Sequence, residues 1–327
     1  MPSQNLERNL QLSIESIMKK TQYESYEEWV RNFSLNLIDI WDESSAKDLT
    51  PLENNNKIQS SIVIGRGPSI KKHNHLEILA KSNFQGNIIC CDGKLIDTLK
   101  AGVTPDKFPN FYVVTIDPYK TIKQHYDDPI VDKYGTKIKG IFTVLTNPLA
   151  VARARDAGIS IYWIHSLFDY NEGKKSFNQI SALIIRAKKN QGLPAIQTGG
   201  NVGTSSWFIA WKILKSKNVC LIGINHGWEE EDSWDTILSH GNNPSISKDL
   251  DRNSPAFEQL FKKIYNPDFE CYSIVDPLFQ FYSMALKEFI SRSPNWVTTI
   301  NATEGGSIFG KKVNSMKFNE FLLKYYF

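Results

Sequence analysis

Two glycine-rich turns carry the clearest chemical signal in this sequence. The first, in residues 61–69 (SIVIGRGPS), follows an apolar run directly. Glycines let the backbone approach a ligand closely, and Pro and Ser suit the first turn of a helix. A strand, a glycine turn and a helix start aim N–H groups at an anion, so the turn predicts phosphate or nucleotide binding; the alternative is a tight turn without a ligand. Ile70 replaces the third glycine of the NAD fingerprint. The predicted contacts are Gly65, Arg66, Gly67, Pro68 and Ser69.

The second turn lies in residues 197–206 (QTGGNVGTSS) and precedes an apolar helical segment. Glycines with Thr and Ser at a helix start again predict an anion or nucleotide site. Equally, glycines let a helix pack closely on a sheet, and the two roles are compatible. A Walker A loop is excluded because Gly-Lys-Ser/Thr does not occur. The predicted contacts are Thr198, Gly199, Gly200, Asn201, Gly203 and Thr204.

Acidic side chains follow two further apolar runs. Asp92 and Gly93 come after the second run, and Asp117 comes after the third. Residues at the carboxyl ends of parallel strands line the ligand crevice of an open sheet. Asp92 is a candidate for binding a ribose hydroxyl or a base edge, and Asp117 for holding Mg²⁺ or a ribose. Either residue alone is also typical of a helix cap or a turn.

Two histidines are candidate general bases. His226 and His165 are both predicted just past the carboxyl end of a buried strand, where a base or a phosphate partner is useful. His73 and His75 stand at a helix start without a carboxylate at metal spacing, so we expect no structural zinc. The sequence lacks the G-x-S-x-G motif, which disfavours acyl hydrolysis. It also lacks the HRD and DFG motifs, which disfavours protein-kinase activity.

Composition indicates an ordinary globular protein. The chain has 327 residues, of which 38 are Lys or Arg and 35 are Asp or Glu, a net charge of +3. So small an excess argues against a nucleic-acid-binding protein. No apolar run approaches the ~18 residues of a membrane span, and the N-terminus has no signal-peptide core. We therefore expect a cytoplasmic protein whose four cysteines are buried and reduced.

The pattern of apolar runs predicts an α/β fold. Short β-branched runs alternate with charged helical segments, which favours a Rossmann-like, mostly parallel sheet with helices on both faces. We divide the chain into an N-terminal helical segment and linker (1–57), a nucleotide-binding α/β domain (58–228) and a loop-rich, helical C-terminal extension (229–327). The predicted strands are 61–64, 87–91, 111–116, 140–145, 159–164 and 219–224. The predicted helices are 75–81, 95–101, 148–157, 176–189, 204–214 and 278–291, with helical signals over 5–43, a loop over 239–256 and an amphipathic end over 316–327.

Four of these elements together resemble the MptE-like domain family. They are Gly-Arg-Gly-Pro-Ser at 65–69, Cys-Asp-Gly-Lys-Leu at 91–95, Gly-Val-Thr-Pro-Asp at 102–106 and Thr-Ile-Asp-Pro at 115–118. The family covers archaeal 6-hydroxymethyl-7,8-dihydropterin diphosphokinases and the core of Maf motility-associated glycosyltransferases, which resemble bacterial sialyltransferases. The His-Ala-His-Gly-Asp-like element of the diphosphokinases is replaced here by a segment ending in Asn147. Residues 199–204, 221–225 and 301–306 look more like the Maf branch, although Asn225 and His226 stand where Maf proteins more often have Gln-Asp.

The resemblance implies a nucleotide-dependent transferase, with a glycosyltransferase as the leading interpretation. Its donor would be a nucleotide-activated sugar such as a CMP-nonulosonate, and its acceptor a sugar, glycan or protein. Asn147 would contact the donor, His226 or His165 would act as base, and Glu304 would close the site. The alternatives are an ATP- and Mg²⁺-dependent pterin diphosphokinase and a non-catalytic nucleotide-binding module. A homo-oligomer is compatible with each.

Overall fold

The computed structural model describes residues 25–52, 59–167, 176–235, 237, 253 and 255–325. The strands are β1 (Ser44–Ser45), β2 (Ser60–Ile64), β3 (Asn87–Cys91), β4 (Phe111–Thr115), β5 (Lys139–Thr143), β6 (Ser160–Leu167), β7 (Ala195–Gln197), β8 (Asn218–Ile222), β9 (Trp228–Glu229), β10 (Lys262–Asn266), β11 (Cys271–Val275), β12 (Thr298–Asn301) and β13 (Val313–Ser315). The helices are α1 (25–42), α2 (Ser69–Lys72), α3 (His75–Lys81), α4 (Leu95–Lys100), α5 (Pro129–Tyr134), α6 (Pro148–Asp156), α7 (Phe177–Arg186), α8 (Val202–Phe208), α9 (Pro255–Leu260), α10 (Pro277–Ser291) and α11 (Phe318–Lys324).

A parallel sheet forms the centre of the molecule. Its strand order is β1-β6-β5-β4-β3-β2-β8-β12-β13, and β7 pairs with β6 off this path. Every residue of β2, β3 and β4 is buried, as expected for strands covered on both faces. The chain leaves β2 toward β3 on one side, whereas β8 lies on the other side. The sheet therefore has its topological switch point between β2 and β8.

Alternate side chains of the strands build two separate cores. Ile62 and Ile64 of β2 face the helices α1, α3, α4, α6 and α11. Val63 faces the opposite side, where α8 and α10 supply aromatic and aliphatic side chains such as Trp207 and Leu286. Because successive residues of a strand point to opposite faces, a continuous apolar run is what this two-sided burial requires.

The C-terminal residues extend the large sheet and build a smaller one. β12 pairs in parallel with β8, and β13 pairs with β12. β9, β10 and β11 form a three-stranded antiparallel sheet. An aromatic cluster around Trp228 packs beside this second sheet, with Trp234, Phe261 and Phe279. Strands from before and after residue 228 therefore belong to the same large sheet. The domain boundary proposed at residue 228 stays a prediction.

The predicted α/β architecture is confirmed, with local differences. The strand predicted over 159–164 runs from Ser160 to Leu167, because His165–Leu167 gain a partner in β7. The strands predicted to end at 116 and 145 end at Thr115 and Thr143. The helix predicted over 204–214 is α8 followed by a π-helical turn, Ile209–Ile213. Not expected from the sequence were the 3₁₀ turn Lys120–Tyr126, α5 and the C-terminal strands.

Part of the sequence-based description falls outside the described residues. This applies to the helical signals over 5–24, the linker at 53–57 and nearly all of the loop predicted over 239–256. Cys90, Cys91 and Cys220 are buried, as predicted, but Cys271 is partly exposed because it lies on the small sheet. No helix in the part of the chain that the structure describes is long and apolar enough to cross a membrane.

Candidate functional site

The loops that follow β2 and β8 meet at the switch point, and glycines make that contact close. The Gly65 N–H donates to the Ile222 carbonyl at 2.8 Å, and the Gly67 N–H donates to the Gly223 carbonyl at 2.8 Å. A Cβ at Gly67 would collide with the Asn225 side chain and lie 2.7 Å from the Gly223 oxygen. Two amides of the first glycine turn are therefore committed to the sheet, and these glycines serve backbone packing.

Ser69 has a structural partner as well. Its Oγ is fully buried and donates to Asn225 Oδ1 at 2.9 Å. Pro68 precedes the short α2 without a side-chain cap hydrogen bond. Of the first turn, the exposed Arg66 side chain is the group placed to meet a ligand. The Arg66 side chain lies next to Gly93: a Cβ atom added to Gly93 would be 3.6 Å from Arg66 Nη1.

Two carboxylates, a histidine and this arginine meet at the carboxyl ends of β3 and β4. Asp92 is 4% exposed; its Oδ1 accepts from the Gly93 N–H at 2.7 Å and lies 3.8 Å from His125 Nδ1. Asp92 Oδ2 is buried and has no hydrogen-bond partner. Burial raises the pKa of Asp117 to about 7; the nearby Asp92 adds to the shift and His125 opposes it. An acid with this pKa exchanges a proton readily at neutral pH.

The second glycine turn begins α8, and many of its polar groups are hydrogen-bonded within the turn. Asn201 is the N-cap: its Oδ1 accepts from the Thr204 N–H at 2.8 Å, and its Nδ2 reaches Thr204 Oγ1 at 3.0 Å. The Gly200 N–H donates to Thr198 Oγ1 at 3.2 Å. A Cβ at Gly203 would lie 2.7 Å from the Ile224 side chain, so this glycine seats α8 against the loop after β8. Gly199 has a φ of +53°, which favours glycine.

Tyr282, on α10, lies against this turn. A Cβ at Gly200, where φ is +82°, would be 2.5 Å from Tyr282 Cε1. The Tyr282 ring is also 6.0 Å from the His226 ring, centroid to centroid. Burial raises the pKa of Tyr282, and the negative charge of Asp117 adds to the shift. Tyr282 therefore lies between the second glycine turn and His226.

His226 is in the site, but its environment is unsuited to a base. The side chain is 7% exposed, and its Nδ1 is buried without a hydrogen-bond partner. Burial lowers the pKa of His226 to about 3, and the nearby Lys287 adds to the shift. The imidazole stays neutral at physiological pH and is a weak proton acceptor. Its φ of +42° lies in the left-handed region, which is uncommon for a residue with a side chain.

Two other predicted site residues have structural roles elsewhere. His165 lies inside β6 rather than beyond its end, and its Nε2 is 2.7 Å from Ser181 Oγ of α7. Asn147 caps α6: its Oδ1 accepts from the Leu149 N–H at 3.1 Å, and its Nδ2 donates to the Pro118 carbonyl at 3.2 Å. Both side chains are almost fully buried. These contacts leave a ligand role for either residue as a prediction only.

Glu304 belongs to a second polar cluster beside α2 and α3. Its carboxylate is 3.3 Å from His75 Nε2, 3.9 Å from His73 Nδ1, and accepts from the Phe318 N–H at 3.1 Å. Burial alone would raise the pKa of Glu304, but the hydrogen bonds from His75 and Phe318 and the nearby His73 lower it overall. The loop after β12 folds back and brings this carboxylate beside the two histidines, a proximity that spacing in the sequence does not show.

A nearby ion pair extends this cluster. Lys72 pairs with Glu229, whose Oε1 is buried and without a partner. Within the described ranges, no group of three or more His, Cys, Asp and Glu side chains is arranged to hold a metal ion. Mg²⁺ is commonly held by one or two carboxylates together with substrate phosphates. The unpartnered Asp92 Oδ2 beside Asp117 fits that smaller donor set.

Sequence reasoning missed His125 and Tyr282. His125 lies in a 3₁₀ turn that no apolar run marked, and Tyr282 is one aromatic residue in an aromatic-rich helix. The Asp-Pro pair at 117–118 signals a turn after β4, and the 3₁₀ turn that follows brings His125 beside Asp92. Tyr282 carried no local signal.

Comparisons with known proteins find a family model and a solved structure that are similar to the chain. The family model described as "6-hydroxymethylpterin diphosphokinase MptE-like" matches residues 31–231. The search of solved structures returns a structure described as that of a MAf glycosyltransferase from Magnetospirillum magneticum AMB-1, with a TM-score of 0.48 and 13% identity. The similarity covers 85% of this chain and 38% of that one, so the chain spans well under half of that protein. No curated protein matches the chain.

Proposed function

Because the chain belongs to the MptE-like family, we propose that it is a nucleotide-dependent transferase whose nucleotide binds at the carboxyl ends of β2, β3 and β4, beside the switch point between β2 and β8. The observation that carries the proposal is the meeting of Asp92, Asp117, His125 and Arg66 at that edge of the sheet. Open α/β sheets bind ligands where the strand order reverses. The Arg66 guanidinium can bind a phosphate, and the two carboxylates can bind hydroxyl groups. The cluster therefore suits a ligand with a phosphate at one end and hydroxyls at the other.

The form of the reaction that we favour is glycosyl transfer from a nucleoside-monophosphate-activated sugar, such as a CMP-nonulosonate. The acceptor hydroxyl attacks the anomeric carbon, and the bond from that carbon to the phosphate oxygen breaks. The electron pair of that bond leaves with the phosphate, whose charge the Arg66 guanidinium stabilises. The hydroxyl proton passes to Asp117, whose pKa of about 7 suits a base at neutral pH. Asp117 thus takes the role that the sequence suggested for His226.

A second candidate is pterin diphosphokinase activity, the activity in the family model's description. The observation that favours it is the unpartnered Asp92 Oδ2 next to Asp117. Mg²⁺ bound there would neutralise the charge of nucleotide phosphates. Asp92 and Asp117 would hold the ion, and Arg66 would contact the phosphates. In this case Asp117 must be ionised, so a pKa of about 7 predicts that binding strengthens as the pH rises through 7 and levels off about one unit above it.

A binding and product assay separates these activities. The purified protein is titrated calorimetrically with CMP and with ATP, each with and without Mg²⁺. CMP release from CMP-nonulosonate and AMP release from ATP with hydroxymethyl-dihydropterin are then followed. Asp117→Asn should lower the transfer rate about 10²–10⁴-fold, the usual contribution of a general base. Asp97→Asn is the matched control, because Asp97 is exposed on α4 and its ion pair is with the neighbouring Lys94.

Each outcome of this assay decides between the candidates. Metal-independent CMP release that needs Asp117 supports the glycosyltransferase. AMP release that needs Mg²⁺ supports the diphosphokinase instead. Tight nucleotide binding without turnover supports a non-catalytic nucleotide-binding module. Absence of binding to every nucleotide refutes the proposal as a whole.

A further inference from the structure

Helix α7 carries apolar side chains on two of its faces. One face, with Phe177 and Ile185, is buried in the core. The other face is formed by Ile180, Leu183 and Ile184, which recur at the three- and four-residue spacing of a helix. All three are exposed to solvent. A surface helix normally carries polar residues on its outer face, so this apolar stripe is typical of a contact surface.

Helix α1 continues this surface. The rings of Phe33 on α1 and Phe177 on α7 lie 5.6 Å apart, centroid to centroid. Further along both helices, the Trp41 indole N–H donates to the Ile184 carbonyl at 3.2 Å. The two helices therefore lie side by side and run in the same direction. Ile38 is three residues before Trp41, which places it on the side of α1 that faces α7, and it is 68% exposed.

These side chains form one apolar surface, which we call the α1–α7 face. It consists of Leu35, Ile38, Ile180, Leu183 and Ile184. Each of the five is at least 36% exposed, so no helix or strand in the described part of the chain covers this face. A contiguous exposed apolar surface marks an interaction site.

We propose that residues 6–18 of the same chain cover the α1–α7 face as an amphipathic helix. This segment lies outside the described residues, and its sequence supports the proposal. Its apolar side chains recur at intervals of three or four residues and so share one helix face. They are Leu6, Leu10, Ile14, Ile17 and Met18. Packing this face on the α1–α7 face removes apolar surface of both from water.

The length and position of the segment fit this surface. A helix over residues 6–18 is about 20 Å long, and α1 covers about the same distance over residues 25–38. Residues 19–24 (KKTQYE) are polar apart from one tyrosine and form the connection. Six residues are within the usual range for connections between neighbouring helices. The segment therefore reaches the far end of the face by running antiparallel to α1, and its short tether favours it over a separate partner.

Helix α1 also links this face to the candidate site. Its buried Asn32 donates through Nδ2 to the Pro118 carbonyl at 2.9 Å and to the Leu145 carbonyl at 3.0 Å. Pro118 directly follows Asp117 in the loop after β4, and Leu145 lies in the loop after β5. A segment that covers the outer face of α1 therefore supports the helix that holds both loops.

The experiment is a pulsed electron-spin measurement of the distance between two spin labels in the full chain. Cysteines for the labels are introduced by Arg8→Cys, on the polar face of the segment, and Asp42→Cys, exposed in the last turn of α1. Cys271→Ser removes the native cysteine that is partly exposed. We expect a distance below about 25 Å, because the docked segment lies beside α1. One straight helix from residue 8 to residue 42 would give about 50 Å, and that result refutes the inference.

Two pairs of variants test which surfaces make the contact. Leu10→Glu in the segment and Leu183→Glu on α7 should each abolish the short distance, because a carboxylate resists burial against apolar side chains. Leu183 is 67% exposed, so its replacement leaves the core intact. The matched controls are Ser16→Glu, on the polar face of the segment, and Gln179→Glu, exposed on α7 beside the stripe. Both controls add the same charge and should keep the short distance.

The variants can also contradict the inference. A short distance that survives Leu183→Glu would show that the segment docks elsewhere. Loss of the short distance in the controls as well would show that added charge alone releases the segment. Either result refutes docking on the α1–α7 face.

Dilution with unlabelled protein identifies the occupant of the face. A short distance that persists in an excess of unlabelled protein, in a chain that sediments as a monomer, supports docking within one chain. A short distance that disappears on dilution assigns the face to the segment of a second copy and refutes the inference. A dimer with a distance of about 50 Å that dissociates in Leu183→Glu assigns the face to α1 and α7 of a second copy and also refutes it. None of these measurements uses a nucleotide, so their outcome is independent of the proposed transferase activity.

Discussion

The buried His226 should make the protein sensitive to mild acid. The pKa of His226 is about 3 in the folded state and 6.5 in the unfolded chain. Between pH 6.5 and pH 3 the side chain is therefore protonated mainly in the unfolded state. The unfolded state therefore binds the extra proton, and the free energy of unfolding falls as the pH falls between 6.5 and 3. At about 1.36 kcal/mol per pH unit, the loss due to His226 at pH 5 is about 2 kcal/mol relative to pH 7.5.

Urea unfolding at pH 7.5 and pH 5.0 measures this contribution. His226→Asn removes the titrating group and keeps a residue type that tolerates the left-handed backbone found here, with φ at +42°. We expect the variant to lose about 2 kcal/mol less than the wild-type protein between the two pH values. The matched control is Ser307→Ala, which removes the hydrogen bond to the His226 carbonyl without removing a titrating group.

The result that would refute this reasoning is an equal loss of stability in the wild-type protein and in His226→Asn. The imidazole would then be protonated in the folded state, which requires water or a partner at the buried Nδ1. Ser307→Ala should be destabilised by the same amount at both pH values. If it instead loses the wild-type pH dependence, the acid sensitivity belongs to the loop conformation and not to the imidazole.

Further predictions concern the glycine turn, the acidic pair and the second polar cluster. Gly67→Ala should lower the free energy of unfolding by about 1–3 kcal/mol, because its methyl group collides with backbone and side-chain atoms of the loop after β8. Gly93→Ala should change it much less in the same urea assay, because its methyl group would lie no closer than 3.3 Å to the Arg66 and His125 side chains. Asp92→Asn should lower the pKa of Asp117, measured in a ¹³C NMR titration of protein labelled at the aspartate side-chain carboxyls, since one repelling charge is removed; an unchanged value would show that the two carboxylates do not interact. Glu304→Gln should cost about 1–3 kcal/mol at pH 7.5, because a buried histidine loses its charged partner; no change in the urea midpoint would contradict a stabilising pair.

The central strands were predictable because their consecutive residues are almost all apolar. Residues 62–64, 88–91 and 219–222 are continuous apolar runs, which a strand covered on both faces requires. Their ends were less predictable, since a strand ends where its partner ends. Pairing with Ala195–Gln197 extends β6 past His165, and no residue near His165 signals that.

The C-terminal strands and half of the candidate site depend on tertiary contacts. β12 and β13 contain Thr, Asn and Ser, and the register of β12 is set by the edge of β8. Asp92 and Asp117 were predictable as partners because each follows a strand of the same sheet. Tyr282 was not predictable as part of the site, because its position depends on how α10 packs on α8. Nothing in the sequence of either helix indicates that packing.

The pairing of β12 with β8 has a consequence for any shortened form of the protein. A chain that stopped at residue 231, where the family match ends, would leave β8 as an open edge strand. Its apolar residues and unpaired backbone groups would be free to pair with another copy, and exposed flat edges are common starting points for aggregation. We expect such a fragment to self-associate in analytical ultracentrifugation, whereas the full chain caps that edge with its own later residues.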